Sequence, residues 1–142
     1  MSLRGLATIS IWADDLAAAT DWYADLLGMR PYFERDGYRE FRIGDYQHEL
    51  GIIDRRYAPH TTGVAGGAIV YWHVDDLAAT LDKLLGMGAT LNEGVRERGP
   101  GFVTASVVDP FGNVLGVMSN RHYLDVLAST GLATARETTA AV

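Results

Sequence analysis

Cysteine is absent from the 142-residue sequence. This absence excludes disulfides, thiolate catalysis and metal sites built from thiolates. No stretch approaches the ~20 consecutive apolar residues that a membrane-spanning helix needs, and the first residues lack the apolar core of a signal peptide. We therefore expect a cytoplasmic protein that has no membrane partner.

Positive charge is also scarce. The chain has 12 Lys and Arg against 18 Asp and Glu, which gives a formal net charge of −6. No basic stripe offsets this balance, so the sequence argues against a nucleic-acid partner. An acidic surface favours a cationic ligand, although net charge also serves solubility alone. The length is sufficient for one domain with a full core.

An internal repeat dominates what is present. Residues 14–16 (Asp-Asp-Leu) return as residues 75–77, and residues 26–29 (Leu-Leu-Gly-Met) return as residues 84–87. The second copy is shorter by about one helical turn of ~3.6 residues, so the apolar face of its helix stays in phase. A repeat of this length indicates two copies of one supersecondary unit.

Each copy is predicted to begin as a strand followed by a helix. Residues 7–12 and 68–73 are rich in β-branched and aromatic side chains. The Asp pair after each strand supplies helix N-caps, and Gly28 and Gly86 stand where a C-cap favours a positive φ. Helical spacing predicts one apolar face on each helix, formed by Leu16, Ala19, Tyr23 and Leu27 and by Leu77, Leu81, Leu84 and Leu85.

The segments after each helix complete a βαβββ module. In the first module we predict further strands at 30–35, 38–43 and 46–53. In the second we predict a strand at 68–74, a helix at 76–85, strands at 89–92, 102–108 and 114–118, a charged loop at 93–101 and a tight turn at 109–113.

We thus expect a single domain over residues 1–142. Its expected parts are module one at about 5–54, a linker at about 55–67, module two at about 68–120 and a tail at 121–142. Within the tail, residues 123–127 are predicted to be helical, and residues 133–142 lack a core pattern and are predicted to fray.

The two βαβββ modules, the Asp-Asp-Leu helix starts, the Leu-Gly-Met helix ends and the Asp-Pro-Phe-Gly-Asn turn together resemble the vicinal oxygen chelate superfamily, over about residues 5–120. That superfamily includes glyoxalase I, bleomycin-resistance proteins, fosfomycin-resistance enzymes and extradiol dioxygenases. The resemblance implies an α+β fold in which two tandem modules enclose a central pocket with their curved sheets, with the helices outside.

The resemblance, combined with strand alternation, predicts which side chains face the pocket. The helix-facing set on the first strand of each module is Ile9, Ile11, Val70 and Trp72. The ligand-binding set is Thr8, Ser10, Trp12, Ile69, Tyr71 and His73, together with Glu49 from a later strand.

Metal-dependent relatives carry His or Glu at one inward position on the first and last strand of each module. Here the resemblance puts those positions on Thr8, on Ile69, on Gly116 and on either Glu49 or Gly51. Glu49 is the only good metal ligand among these residues. One ligand does not make a metal site, so we predict no cofactor. A divalent ion at a nonstandard site is the alternative, with Glu49 as the weak metal candidate.

Two residues are candidates for acid/base chemistry. Glu49 lies in an apolar strand, where burial would make it a general base or the counter-ion of a cationic ligand. His73 could donate to a ligand oxygen or transfer a proton. Trp12 and Tyr71 offer flat apolar walls. If residues 93–101 form a lid, Arg96 and Arg98 flank the pocket rim and could clamp an anion, although charged loop residues are more often solvated.

The leading functional hypothesis is metal-independent binding of a small aromatic or cationic molecule between the modules. One alternative is a metal-dependent lyase, isomerase or dioxygenase that uses Glu49 and nonstandard ligands. Others are a metal-free enzyme with Glu49 or His73 as acid/base, and a dimeric domain with a vestigial pocket. In each case we expect a homodimer, because the resemblance implies modules paired about a two-fold axis.

Overall fold

The structure is a computed structural model, and it describes residues 3–132. Module one consists of β1 (Thr8–Ala13), α1 (Leu16–Leu27), β2 (Phe33–Arg35), β3 (Tyr38–Ile43) and β4 (His48–Asp54). A short 3₁₀ turn, Arg55–Tyr57, leads into the linker. Module two consists of β5 (Tyr71–His73), α2 (Leu77–Gly86), β6 (Thr90–Gly99), β7 (Phe102–Val108) and β8 (Val114–Asn120), and α3 (Arg121–Thr130) follows.

The two sheets have the same topology. Their strand orders are β1-β4-β3-β2 and β5-β8-β7-β6. In each sheet the first strand is parallel to the last, and the remaining pairs are antiparallel. The predicted α+β fold of two tandem βαβββ modules is confirmed. The sheets are curved and open, and α1 and α2 each lie on one face of their own sheet.

The aspartate pairs act as predicted at the helix starts. The side chain of Asp15 accepts a hydrogen bond from the Ala18 N–H at 3.0 Å, and Asp76 accepts one from Ala79 at 2.9 Å. Gly28 ends α1 with φ +67°, as predicted. The equivalent prediction for Gly86 is wrong, because α2 continues through this residue.

Each helix buries its apolar face against its own sheet. In module one, Ala19 and Tyr23 of α1 pack among Phe41, Leu50 and Ile52. In module two, the corresponding cluster contains Leu81, Leu84, Ala89, Ala105, Val107, Leu115 and Val117. Leu85 does not join it and is 39% exposed, so its predicted place on the apolar face is wrong. On α2, the position that follows the buried Leu84 already points towards solvent.

The modules are joined through α1. Trp22 and Leu26 pack against the core clusters of both modules. The Trp22 indole N–H also donates to the Met87 carbonyl at 2.8 Å, at the end of α2. The two copies of the repeat therefore pack into one unit, in which α1 of module one lies beside α2 of module two.

The predicted charged loop at 93–101 is wrong. This segment belongs to β6, a strand that pairs with β7 through three irregularities of register. Arg96 pairs with Thr104 in the ladder, and the Arg98 guanidinium Nε donates to the Thr104 hydroxyl at 3.1 Å while its Nη2 pairs with Glu93. These arginines are strand residues, so they do not lie on the loop that a lid would require.

Helix α3 is longer than the predicted helical tail, and β5 is shorter than the predicted strand at 68–74. No helix within residues 3–132 is long and apolar enough to cross a membrane. The fraying predicted for 133–142 lies outside the described residues.

Candidate functional site

A groove runs between the two modules and contains two adjoining cavities. Their volumes are about 550 Å³ and about 470 Å³, within the range of ~300–1,000 Å³ that is usual for small-molecule pockets. We name them the His73 chamber and the Trp12 chamber after one residue of each, and call the whole the inter-module groove. The residues that line both chambers are Ile9, Tyr23, Leu50, Val70, Trp72 and Leu115.

In the Trp12 chamber the indole ring of Trp12 is the main aromatic surface. The ring meets His60 edge to face, with centroids 4.9 Å apart and planes at 84°. The backbone of Trp12 is held by the Asn113 side chain, whose Nδ2 donates to the Trp12 carbonyl at 3.0 Å. The indole Nε1 is buried and has no hydrogen-bond partner among residues 3–132.

Arg55 holds the linker that forms the outer wall of this chamber. Its Nε donates to the Thr62 hydroxyl at 3.0 Å, and its Nη2 donates to the Phe111 carbonyl at 2.7 Å. Its Nη1 pairs with the Asp14 carboxylate. One guanidinium therefore connects the start of α1, the linker and the 109–113 turn of module two.

In the His73 chamber the histidine ring is held by a stacking contact and by a hydrogen bond. The ring stacks on Tyr123 of α3, with centroids 4.7 Å apart and planes at 13°. Its Nδ1 accepts a hydrogen bond from the Asn120 N–H at 3.1 Å, so the neutral imidazole carries its proton on Nε2. Nε2 is buried and lies 3.6 Å from the Asp75 carboxylate.

Aromatic rings and one carboxylate continue along the same chamber. Tyr123 donates from its hydroxyl to Asp45 Oδ2 at 2.7 Å, which brings the 44–47 turn of module one against α3. Tyr46 packs edge to face on Tyr123 with centroids 5.6 Å apart, and His48 lies 5.8 Å from Tyr46. Lys83 also lines the chamber, and its ammonium donates to the Leu26 carbonyl at 3.4 Å.

The predicted ligand-binding residues are not all brought together. Ser10 and Trp12 line one chamber, and Tyr71 and His73 line the other. Three further predicted residues line neither chamber: Thr8, Glu49 and Ile69. Four of the seven predicted residues therefore line the inter-module groove, in two chambers and not in one pocket. The assignment of faces is wrong for the groove, because Ile9, Ile11, Val70 and Trp72, predicted to face the helices, line the chambers as well.

Glu49 lies on the sheet face opposite α1. It pairs with Thr8 on one side and with Arg42 on the other. The phenol of Tyr38 is on the same sheet, where burial raises its pKa and the carboxylates of Glu40 and Glu49 raise it further. Glu49 and His73 therefore belong to separate surroundings, and they do not form a common acid/base pair at the groove.

The residues present do not fit a superfamily metal ion. Strand register pairs Ser10 with Gly51 and Tyr71 with Gly116, so the two glycines occupy equivalent positions on the last strands. The alternative that placed Glu49 there is disfavoured by this match. Within residues 3–132 no group of three or more His, Asp or Glu side chains could hold a metal ion.

Several groove residues escaped sequence reasoning. His60, Asp45, Asn113 and Tyr123 lie in the linker, in turns and in α3. Strand alternation assigns faces only within strands, so it carries no information about these positions. The one indication in the sequence was that some of these polar and aromatic residues stand next to glycine-rich turns. Ordinary surface loops commonly have the same composition.

The paired βαβββ architecture, with a groove between its modules, defines a class of small α+β proteins. Residues 5–117 match the family model described as the Glyoxalase/Bleomycin resistance protein/Dioxygenase superfamily. The chain belongs to this superfamily. A comparison with curated proteins finds no match.

Solved structures share the fold. A glyoxalase-related enzyme from Fulvimarina pelagi superimposes with a TM-score of 0.66 at 18% identity, covering 82% of this chain and 88% of its own. A glyoxalase/bleomycin resistance protein/dioxygenase family enzyme from Burkholderia phytofirmans gives 0.66 at 17% identity, covering 79% and 95%. The bleomycin resistance determinant of transposon Tn5 gives 0.61 at 22% identity, covering 82% and 98%.

Proposed function

We propose that this protein binds a small, flat, cationic organic molecule in the inter-module groove, without a metal ion. The observation that carries the proposal is the wall shared by the two chambers, which is apolar and aromatic and is supplied by both modules. A flat ligand against this wall removes apolar surface from water and meets aromatic faces, each worth on the order of 1 kcal/mol beyond area burial.

The charge preference rests on the polar end of the His73 chamber. Asp45 supplies a carboxylate there, and Tyr123 and Trp72 supply aromatic faces. A cation is attracted by both kinds of group. Lys83 is the opposing charge, but its ammonium is directed to the Leu26 carbonyl. Asp45 thus takes the counter-ion role that we had assigned to Glu49.

The similarity to the bleomycin resistance determinant of transposon Tn5 supports a binding function for this fold. The superfamily also contains enzymes, and one fold serves many chemistries. The donor set supports binding, because threonine, isoleucine and glycine stand at the positions where the resemblance to metal-dependent relatives implies ligands. We therefore propose binding in preference to metal-dependent catalysis.

We also propose that the protein forms a homodimer. Strand β2 is an edge strand, in which Phe33 is 47% exposed, and Tyr32, the residue before the strand, is 66% exposed. An unpaired edge with large apolar side chains is a surface that proteins usually cover. A second copy of the chain supplies such a cover, and an isologous contact needs no other partner.

Proflavine, a flat tricyclic cation, is a suitable probe, and acridine at pH 8 is its neutral counterpart. Isothermal titration should detect proflavine binding, and the melting temperature should rise because the ligand binds only the folded state. Val70→Trp fills the wall common to both chambers and should lower the affinity at least about tenfold. Val126→Trp, on the outer side of α3, is the matched control.

The charge preference has its own test. Asp45→Asn should weaken proflavine binding and leave acridine binding unchanged, whereas Asp21→Asn, at an exposed position on α1, should change neither. The proposal fails if proflavine does not bind, or if Val70→Trp binds it as the unaltered protein does.

A further inference from the structure

We propose that the ligand of the inter-module groove carries a carboxamide or lactam group, and that β1 binds this group in the Trp12 chamber with the edge that does not pair with β4. The backbone N–H of Ser10 donates to the carbonyl oxygen of the ligand, and the Ser10 carbonyl accepts from the amide N–H of the ligand. This inference rests on the function proposed above and specifies the chemical class of the ligand.

Strand β1 has a free edge on the side of module two. In the part of the chain that the structure describes, β1 pairs with β4 alone. On its other edge the Asn113 side chain holds both backbone groups of Trp12: its Nδ2 donates to the Trp12 carbonyl at 3.0 Å, and its Oδ1 lies 3.4 Å from the Trp12 N–H. The backbone groups of Trp12 therefore point away from β4 and towards the turn of module two.

The backbone groups of Ser10 point in the same direction. Successive residues of a strand direct their N–H and C=O groups to opposite edges, so residues two apart share an edge. Ser10 stands two positions before Trp12, is exposed, and lines the same chamber as Trp12 and Asn113. Within residues 3–132, nothing pairs with its N–H or its C=O on this edge. A strand edge with an open donor and an open acceptor thus borders the chamber.

The linker leaves room in this chamber. Its contribution to the wall includes three residues with little or no side chain, Gly66, Gly67 and Ala68. A Cβ built on either glycine meets no atom within 4 Å, so open space lies beside this part of the linker. The chamber has a volume of about 470 Å³, which is sufficient for a ring system with a planar polar group.

The contact between Asn113 and Trp12 indicates which chemical group fits this edge. A primary amide has a donor and an acceptor side by side, and that of Asn113 meets the N–H and the C=O of one strand residue at once. An ester or an ether offers acceptors without a donor, and an ammonium group offers donors without an acceptor. A carboxamide or a lactam completes both bonds at Ser10, as Asn113 does at Trp12.

A matched pair of flat cations tests the contact. One is 1-methylquinolinium-3-carboxamide, and the other has an isopropyl group in place of the carboxamide, so the ring, the charge and the approximate shape are kept. Titration calorimetry should show that the carboxamide binds the unaltered protein about tenfold more tightly, because the edge of β1 replaces the hydrogen bonds that the amide gives up in water.

Proline variants locate the contact in the backbone. Ser10→Pro removes the N–H that faces the chamber and keeps the ladder with β4, which Ile9 and Ile11 form. This variant should lose the preference for the carboxamide, since the ligand carbonyl then lacks its donor. Thr8→Pro removes an N–H from the same edge, but Thr8 lines neither chamber, so the tenfold preference should remain. Ser10→Ala removes only the hydroxyl and should keep the preference as well.

A measurement on the unaltered protein gives the answer if Ser10→Pro does not fold. In ¹H–¹⁵N correlation spectra the carboxamide should move the Ser10 amide proton downfield of its position with the isopropyl probe, because this N–H enters a new hydrogen bond. The Thr8 amide should have the same position with both probes. Equal positions of the Ser10 amide with the two probes would contradict the contact.

The outcomes separate this inference from the proposed function. If both quinolinium probes bind and Val70→Trp weakens both, but the carboxamide has no advantage, the edge contact is wrong and the groove function stands. The same conclusion follows if the advantage survives in Ser10→Pro, or if Ser10→Ala abolishes it and so assigns the contact to the hydroxyl. If neither these probes nor proflavine bind the unaltered protein, both proposals are wrong.

Discussion

The hydroxyl of Tyr23 donates to the carboxylate of Asp109 at 2.6 Å, in the buried space between the modules. Tyr23 belongs to α1, and Asp109 opens the turn before β8. Asp109 in turn accepts from the backbone N–H groups of Phe111 and Asn113, each at 2.9 Å. A single carboxylate therefore organises its own turn and attaches it to the other module.

Tyr23→Phe should lower the free energy of unfolding by about 1.5–3 kcal/mol, the usual worth of a hydrogen bond to a charged group. Urea titration at pH 7 measures the change. Tyr57→Phe is the control, because that residue is 55% exposed and should lose little. Equal stability of the two variants would show that the buried contact contributes little.

The same pair predicts an alkaline dependence of stability. Burial raises the pKa of Tyr23 well above its ordinary value of 10.0, and the Asp109 carboxylate raises it further. The phenol then stays protonated in the folded chain after it ionises in the unfolded chain. The contribution of the Tyr23 phenol to the free energy of unfolding is thus complete below pH 10.0 and declines as the pH rises beyond that value. In Tyr23→Phe the decline in unfolding free energy above pH 10 should be shallower.

Gly116 and Gly86 should respond in opposite directions to alanine. A Cβ at Gly116 would lie 2.6 Å from the Tyr71 ring and 2.8 Å from the Val70 carbonyl oxygen, so Gly116→Ala should cost about 1–3 kcal/mol. Gly86 ends α2 with nothing within 4 Å of a Cβ, and Gly86→Ala should add about 0.4–1 kcal/mol. Thermal unfolding distinguishes them, and a stable Gly116→Ala variant would contradict the close packing of Tyr71.

Arg55→Lys should loosen the linker. A lysine ammonium cannot reproduce the planar set of bonds to Asp14, Thr62 and the Phe111 carbonyl, so about 1–2 kcal/mol of stability should be lost. Limited proteolysis should cut residues 58–70 faster than in the unaltered chain. The neighbouring Arg56 is 57% exposed, and Arg56→Lys should behave as the unaltered protein does. Identical cleavage of both variants would refute the role of Arg55.

The purified protein should contain no stoichiometric divalent metal ion, since Thr8, Ile69 and the paired glycines provide no ligand set. Elemental analysis after purification without chelators measures the content. One metal ion per chain that is lost in Glu49→Ala would overturn the metal-free proposal and would favour the enzymatic alternative.

Light scattering at micromolar concentration should give twice the chain mass of 15.4 kDa. Phe33→Asp places a charge on the exposed edge strand and should shift the mass towards one chain. Leu124→Asp is the control, as this residue is 44% exposed on α3. A single-chain mass for the unaltered protein would refute the homodimer.

Much of the fold was determined by local sequence pattern. Asp15 and Asp76 cap their helices because a short carboxylate after an extended residue reaches the first free N–H groups. Strands β3 and β7 have the predicted bounds, since alternation between two turns leaves little freedom of register. The repeat then required a second module of the same order.

Only the tertiary structure decided the course of β6 and the exposure of Leu85. The charged, glycine-containing segment 93–101 has no local strand pattern, and it is extended because β7 offers it a continuous ladder. Leu85 has the spacing of a core residue, but the sheet beneath α2 does not reach it. Both outcomes depend on a neighbour that is distant in sequence.

The site, too, was predictable from local sequence only in part. Strand alternation predicted pocket positions for Ser10, Trp12, Tyr71 and His73, and these residues line the chambers. The neighbours that it assigned to the helix side line them too, so alternation alone did not define the site. The linker held by Arg55 brought His60 to the groove, and the hydrogen bond from Tyr123 brought Asp45. These contacts join residues far apart in the chain, so no local pattern in the sequence encodes them.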